Sequence, residues 1–126
     1  MEKIYLAGTY DTPEIYLSKE ESRFEFSGKS LPEDVNAFYG NVLAWIQEYV
    51  NSPNQTSFFN FRLTYFNTSS SKILLDIMMK LEEIKEKGKE VIIRWYYPEY
   101  DEDMLLAGKE YEEIVDLPFE FLPYKS

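Results

Sequence analysis

The sequence predicts one α/β domain, residues 1–126, in which a mixed β-sheet is flanked by helices. Three observations support this fold class. Short stretches with strand periodicity crowd the N-terminal part, and farther along the chain stretches of strand and helix periodicity alternate. Such an order is typical of a sheet with helices packed against it. Hydrophobic residues make up 44% of the 126-residue chain, which is enough to fill a core of that size.

The N-terminal part contains three predicted strands, which cover residues 4–6, 14–17 and 22–27. Gly28 is expected to close this hairpin-like region. A helix is then expected to open at 31–34, where Pro32 falls in the first turn and acidic residues suit the positive end of the helix dipole. This helix is expected to end near 51–53. Its apolar stripe consists of Val35, Phe38, Val42, Trp45, Ile46 and Tyr49.

The central part carries the clearest periodicity. Apolar and polar residues alternate from Ser57 to Phe66, which predicts a strand. A second helix is predicted next, with Gly88 as its left-handed C-terminal cap. The apolar stripe of this helix consists of Ile73, Leu74, Ile77, Met78, Leu81 and Ile84. Another strand is predicted from Val91 to Tyr97, so these elements are expected to form a right-handed crossover.

The C-terminal part predicts one more helix and one more strand. Pro98 ends the preceding strand, and the acidic stretch 99–103 is expected to start the third helix. Apolar residues at helical spacing support it, namely Met104, Ala107, Tyr111 and Ile114. Residues 119–122 are expected to add an edge strand.

Composition narrows the possible function classes. The chain has 0 Cys and 0 His, so it lacks thiolate ligands, cysteine nucleophiles and the commonest general base. The formal net charge of -10 has the wrong sign for a protein that binds nucleic-acid phosphates or an anionic membrane. No stretch approaches the ~18 apolar residues of a membrane span. We therefore expect a cytoplasmic protein without nucleic-acid or membrane partners.

The most informative stretch for function follows the predicted strand that ends at Phe66. Four consecutive hydroxyl residues, 68–71, stand there between Asn67 and Lys72, at the start of a predicted helix. The first backbone N–H groups of a helix lack partners within the helix and carry partial positive charge. A phosphate bound or attached there is therefore favoured. The simpler interpretation is an N-cap at Asn67 or Thr68 followed by polar residues of the first turn.

Other patterns allow different functions. The acidic cluster Asp101 to Asp103 can supply oxygen ligands for Mg²⁺, which leaves open a Mg²⁺-dependent phosphoester hydrolase, although acids also suit a first helical turn. Gly28-Lys29-Ser30 lacks the upstream glycine of a phosphate-binding loop, since Arg23 occupies that position. The aromatic residues around Trp95 and Tyr96 are expected to divide between the core and the outer sheet face. Without an assembled acid–base pair we expect no catalytic residues and no metal or organic cofactor.

Four segments are informative when they are taken together and in order. They are Thr9-x-x-Thr12-Pro13-Glu14-Ile15, Ser27-Gly28-Lys29-Ser30-Leu31-Pro32-Glu33, Tyr65-Phe66-Asn67-Thr68-Ser69-Ser70-Ser71-Lys72, and Trp95-Tyr96-Tyr97 followed by Asp101-Glu102-Asp103-Met104. Over nearly the whole chain this pattern resembles the SiaC family of bacterial regulatory phosphoproteins. The resemblance implies a fold similar to the STAS domains of anti-sigma factor antagonists.

The resemblance also implies a function. It implies a non-enzymatic protein that is switched by phosphorylation, under a dedicated Ser/Thr kinase and a PP2C-type phosphatase. The implied partner of the unphosphorylated form is a diguanylate cyclase in c-di-GMP signalling, and the alternative is an anti-sigma factor antagonist in a partner-switching pathway. The implied phosphoacceptor is Thr68. The candidate switch surface around it consists of Asn67, Ser69, Ser70, Ser71 and Lys72.

Overall fold

The computed structural model describes residues 1–125, and within them a six-stranded sheet carries three helices. In chain order the elements are β1 (Ile4–Leu6), β2 (Glu14–Ser18), β3 (Arg23–Ser30), α1 (Val35–Tyr49), β4 (Thr56–Phe66), α2 (Thr68–Glu86), β5 (Glu90–Pro98), α3 (Glu102–Ile114) and β6 (Phe119–Tyr124). The predicted α/β class with a mixed sheet is confirmed. Ser126, the last residue of the predicted domain, lies outside the described residues. Among residues 1–125 no helix is long and apolar enough to cross a membrane.

The strands lie side by side in the order in which they occur in the chain. β1, β2 and β3 are antiparallel neighbours, whereas β3, β4, β5 and β6 run parallel. Each parallel pair is joined by one helix. Because such crossovers are right-handed and each one moves to the next strand in the same direction, all three helices lie on one face of the sheet. α1 packs on α2, α2 on β5, and α3 on β5 and β6.

The helix-covered face of the sheet holds a core of large aromatic side chains. Phe24 of β3 stacks on Phe59 of β4 with ring centroids 4.5 Å apart. Phe26 and Phe61 stack in the same way at 4.8 Å. All four rings are buried. These cross-strand pairs fix the register of β3 against β4, since a slip by one residue would turn every ring to the other face.

The opposite face carries the alternate side chains of the same strands, among them Glu25, Asn60, Arg62 and Tyr96. We call it the uncovered face, because no helix among residues 1–125 packs on it. Tyr96 lies there, half-buried, while its neighbour Trp95 is buried in the core. The expected division of these aromatic residues between core and outer face is confirmed.

α3 approaches the sheet most closely at Gly108. A Cβ atom at this position would lie 2.5 Å from Cδ1 of Trp95, so a larger residue requires the helix or the indole to shift. The indole Nε1 of Trp95 donates a hydrogen bond to the carbonyl oxygen of Met104 at 2.9 Å. Trp95 therefore connects β5 to α3 by packing and by a hydrogen bond.

The end of β3 and the start of α1 differ from the sequence prediction. Gly28 does not close the N-terminal region, since β3 runs on to Ser30 through an irregularity between Gly28 and Lys29, where Gly28 adopts a φ of 99°. A glycine is favoured at such a backbone angle. Pro32 lies before α1 rather than in its first turn, and Asp34 is the N-cap. The Asp34 carboxylate accepts a hydrogen bond from the Ala37 amide at 3.1 Å, whereas the aliphatic side chain of Leu31 cannot cap a helix, so the helix starts after Asp34.

The later elements follow the prediction closely. β4 leads directly into α2, with Asn67 as the single residue between them. Gly88 adopts a φ of 77° just beyond α2, where the Lys89 amide donates to the Ile84 carbonyl, as in a Schellman motif. α3 begins at Glu102 rather than at Glu99, because the Glu99 amide still donates to the Tyr124 carbonyl in continuation of the β5–β6 pairing. The expected edge strand is β6.

Candidate functional site

Several chain segments meet at the end of the sheet where the parallel strands β3, β4 and β5 finish. We call this end the carboxyl edge. The loop after β3 and the starts of α2 and α3 lie there by topology. The turn at 7–13 joins them, because β2 runs antiparallel to β3 and Glu14, its first residue, pairs with Ser27. Functional sites of α/β folds lie at this end of the strands.

Backbone hydrogen bonds connect these segments. The Leu31 amide donates to the Asp11 carbonyl at 2.6 Å, and the Asn67 amide donates to the Ser30 carbonyl at 3.2 Å. Three of the four segments that carry the resemblance, 9–15, 27–33 and 65–72, are therefore joined in space, although they are far apart in the sequence.

Asn67 is the N-cap of α2. Its backbone is extended, and its side-chain Oδ1 accepts a hydrogen bond from the Ser70 amide at 2.9 Å. This arrangement decides between the two predicted caps, since Thr68 is the first residue of the helix rather than its cap. The Thr68 side chain is exposed and forms no hydrogen bond within residues 1–125. A free hydroxyl thus lies beside the first, unsatisfied N–H groups of α2.

Ser70 is not on this surface, which corrects the prediction that it forms part of the switch surface. Its side chain is fully buried, and its hydroxyl donates to the Ser30 carbonyl at 2.9 Å. The Ser30 hydroxyl lies 2.8 Å from the Ser70 hydroxyl and 2.6 Å from the hydroxyl of Tyr39. Burial raises the pKa of Tyr39 to about 12. The three hydroxyls form a buried cluster that connects β3, α1 and α2.

The other hydroxyl residues of the run differ in exposure. Ser69 is exposed, and its hydroxyl donates to Oδ1 of Asn67 at 3.3 Å. Ser71 is half-buried, and its hydroxyl donates to the Thr68 carbonyl at 2.7 Å. Lys72 is exposed. The surface around Thr68 therefore consists of Asn67, Ser69 and Lys72, with Ser71 at its margin.

Tyr111 of α3 supports the same turn from the other side. Its hydroxyl donates to the Ser71 carbonyl at 2.8 Å. Burial, and to a smaller extent the negative charge of Glu110, raises the pKa of Tyr111. Sequence reasoning placed Tyr111 on the apolar stripe of α3 but missed this contact.

A groove between α2 and α3 opens beside the first turn of α2. Its walls are mainly apolar, and polar residues stand at its mouth. The lining residues are Phe66, Ser71, Lys72, Leu75, Ala107, Glu110, Tyr111 and Ile114. Ile114 exposes 62% of its surface. Exposed apolar side chains beside a groove are a common feature of protein-binding surfaces.

The acidic cluster does not assemble as a metal site. The Asp101 side chain is the N-cap of α3 and accepts a hydrogen bond from the Met104 amide at 2.9 Å. Glu102 and Asp103 are exposed in the first helical turn, where the helix dipole favours them. Within residues 1–125 no group of three or more acidic residues is placed to hold a metal ion.

The chain is similar to known proteins over nearly its whole length. A family model described as "SiaC family regulatory phosphoprotein" matches residues 6–124. The chain is 31% identical over 119 residues to an uncharacterized protein of Pseudomonas aeruginosa strain UCBPP-PA14, and the match covers 94% of each chain.

Solved structures show the same fold. The crystal structure of apo-SiaC from Pseudomonas aeruginosa superposes with a TM-score of 0.88 at 30% identity, covering 97% of this chain and 99% of that one. SiaC in the crystal structure of the diguanylate cyclase SiaD in complex with its activator SiaC, from the same organism, gives a TM-score of 0.89 at 30% identity. That match covers 96% of this chain and 99% of the other.

Proposed function

The chain belongs to the SiaC family of regulatory phosphoproteins, and on that premise we propose that it is a cytoplasmic switch protein controlled by phosphorylation of Thr68. In this proposal the unphosphorylated form binds and modulates a diguanylate cyclase. A Ser/Thr kinase adds the phosphate and a PP2C-type phosphatase removes it. The domain itself performs no catalysis, and its output is the binding of a protein partner.

The observation that carries the proposal is the position of Thr68. Its hydroxyl is exposed, free of hydrogen bonds within residues 1–125, and attached to the first residue of a capped helix. The other hydroxyls of the run are less suitable, since Ser70 is buried and Ser71 donates to a backbone carbonyl. A kinase therefore finds Thr68 as the most accessible acceptor, with Ser69 as its nearest competitor.

Phosphorylation at this position is expected to leave the fold intact. A phosphothreonine carries about two negative charges, and a helix N-terminus stabilises such a charge by roughly 0.3–1 kcal/mol. Lys72 lies four residues after Thr68 and thus on the same side of the helix. The modification therefore changes the surface charge without disturbing the buried cluster below it.

The effect on a partner is expected to be large. The groove between α2 and α3 begins next to Thr68 and offers an apolar surface for a partner segment. A partner that covers the first turn of α2 must remove water from the phosphate, and an unpaired buried dianion is strongly unfavourable. The complex of SiaC with SiaD supports a cyclase as the partner class, because that relative is 30% identical and has the same fold.

Site mapping tests the proposal directly. The protein is incubated with the Ser/Thr kinase encoded in its own genome and with Mg²⁺-ATP, and the phosphopeptide is sequenced by mass spectrometry. We expect one phosphate, on Thr68. The Thr68→Val variant should receive none, while the matched Ser69→Ala variant should be modified like the wild type. Phosphate on a serine of the wild-type protein would contradict the assignment of Thr68.

A further inference from the structure

All three arginines of the chain lie on the uncovered face of the sheet, and each is stacked on an aromatic ring. Arg23 lies 4.0 Å from the Tyr16 ring centroid, Arg62 lies 4.0 Å from that of Tyr124, and Arg94 lies 3.8 Å from that of Phe58. Arginine and aromatic residues are the types most enriched in protein–protein interfaces. This concentration on one face indicates a second interaction surface, separate from the carboxyl edge.

The uncovered face is also incomplete as part of a parallel sheet. Parallel strands are ordinarily covered on both faces, but β3 to β6 have helices on one face only within residues 1–125. Phe58, Ile92 and Tyr96 are half-buried on the other face. A partner that packs on these side chains would supply the missing layer.

The charge of this face sets it apart from the rest of the molecule. The chain has a formal net charge of -10, but cationic and acidic residues are nearly balanced on the uncovered face. The cationic residues are Lys3, Arg23, Arg62 and Arg94, and the acidic residues are Glu14, Glu21, Glu25, Glu90 and Glu120. Two copies of such an acidic protein repel each other least when these faces meet.

Two neighbouring groups on this face have hydrogen-bonding capacity that a partner can reach. Arg62 forms no ion pair within residues 1–125, in contrast to Arg23 and Arg94, which pair with glutamates. Glu25 forms an ion pair with Arg23 at 3.1 Å, but its carboxylate can accept further hydrogen bonds.

These groups lie close together and are complementary in charge. Glu25 pairs with Asn60 across β3 and β4, and Ser27 pairs with Arg62 two residues farther along the same strands. All of them line one shallow depression, together with Tyr96. The depression thus combines an acceptor at Glu25 with a donor at Arg62.

We propose that the uncovered face binds a second copy of this chain in a two-fold symmetric dimer. In this arrangement Arg62 of each copy donates hydrogen bonds to the Glu25 carboxylate of the other copy. A two-fold interface requires that such contacts occur twice and reciprocally, which a donor beside its own complementary acceptors provides. The pairing gives Arg62, which forms no ion pair within residues 1–125, an anionic partner.

The small size of the face limits the surface area that this dimer can bury. Six strands at a spacing of about 4.8 Å make a sheet only ~25 Å wide, so the interface falls at the small end of specific protein contacts. We therefore expect a monomer–dimer equilibrium that depends on protein concentration. Because the contact avoids the carboxyl edge, it is independent of Thr68, and failure of this proposal leaves the proposed function unaffected.

Sedimentation velocity across a wide range of protein concentration tests the dimer. The wild type should dimerise as its concentration rises. The charge-reversed variants Arg62→Glu and Glu25→Arg should each have a dissociation constant raised at least about tenfold, since each places like charges together twice. The matched control Lys72→Glu makes the same charge change on the carboxyl edge and should dimerise like the wild type.

An equimolar mixture of the two charge-reversed variants provides the decisive control. The carboxylate introduced at position 62 of one variant then meets the guanidinium introduced at position 25 of the other. A heterodimer should therefore form at concentrations at which each variant alone is mostly monomeric. Circular dichroism verifies that each variant is folded. The proposal is overturned if the wild type stays monomeric at all concentrations, if either single variant dimerises normally, or if the mixture of folded variants does not associate.

Discussion

The hydroxyl of Ser70 lies 2.8 Å from the hydroxyl of Ser30 and donates a hydrogen bond to the Ser30 carbonyl oxygen. This contact fastens the first turn of α2 to the end of β3. The Asn67 amide donates to the same carbonyl at 3.2 Å, so the chain is held on both sides of Thr68. The proposed phosphoacceptor is therefore an exposed residue on a backbone segment that hydrogen bonds hold in place. Its charge can change without a change of fold.

Substitution of Ser70 by alanine is expected to destabilise the domain. The variant leaves the buried hydroxyl and the carbonyl oxygen of Ser30 with one partner fewer each, which typically lowers the free energy of unfolding by about 1–3 kcal/mol. The matched Ser69→Ala variant removes an exposed hydroxyl and should change it by less than about 0.5 kcal/mol. Urea unfolding measures both, and equal stability of the two variants would contradict a structural role for Ser70.

Tyr39 is expected to make the domain less stable at high pH. Burial raises its pKa to about 12 in the folded state, whereas an unfolded tyrosine titrates near 10. The folded state therefore retains the proton over this interval while the unfolded state loses it, so the free energy of unfolding falls as the pH rises. In the Tyr39→Phe variant the free energy of unfolding, measured with urea, should decrease less steeply as the pH rises. An unchanged slope would rule out this contribution.

The contact between Gly108 and Trp95 predicts that alanine is poorly tolerated there. A methyl group at Gly108 meets the indole at 2.5 Å and must displace α3 or the ring, which is expected to cost about 1–3 kcal/mol of stability. Gly40 in α1 provides the control, because a Cβ there has no neighbour within 4 Å. Gly40→Ala should be neutral or stabilising by up to ~1 kcal/mol. Thermal unfolding should separate the two variants clearly.

The apolar groove predicts which substitutions weaken partner binding. Ile114 lines the groove and is exposed, so Ile114→Ser should leave the fold unchanged and reduce the affinity for the cyclase at least about tenfold. Met79 is also exposed on α2 but does not line the groove, and Met79→Ser should bind normally. Isothermal titration calorimetry measures both affinities. An equal loss of affinity in the two variants would exclude the groove as a specific contact surface for the partner.

Local patterns were sufficient to predict most of the fold. The alternation of β4 and the apolar stripe of α2 are long, so each element was identified with bounds close to those observed. The start of α1 was wrong because Pro32 is consistent with a first turn as well as with an extended loop. The N-cap at Asp34 and the contact of Leu31 with Asp11, which is distant in the sequence, distinguish them.

The candidate site could be predicted only in part. The position of the hydroxyl run at a strand–helix junction could be predicted, because the strand periodicity of β4 and the helix periodicity of α2 are both strong. The burial of Ser70 was not, since it depends on Ser30, forty residues earlier in the sequence. Tyr39 did carry a signal, because it follows Val35 by four residues and precedes Val42 by three. Its hydroxyl partner, however, is determined by tertiary packing.

A phosphate on Thr68 is expected to switch partner binding without unfolding the domain. Variants at this position should separate the effect on partner binding from the effect on stability. Thr68→Ala should bind the partner whether or not the kinase is present. Thr68→Glu should bind weakly while its melting temperature stays close to that of the wild type, since its charge suits the helix N-terminus.

The most direct test of control by Thr68 is a calorimetric titration. The diguanylate cyclase encoded in the genome of this protein's own organism is titrated with unmodified protein and with fully Thr68-phosphorylated protein. We expect the unmodified protein to bind and the phosphorylated protein to bind at least about a hundredfold more weakly, as a desolvated dianion costs several kcal/mol. The melting temperatures of the two forms should agree closely. Equal affinity of the two forms for the cyclase, with Thr68 fully modified, would contradict control of partner binding by this residue.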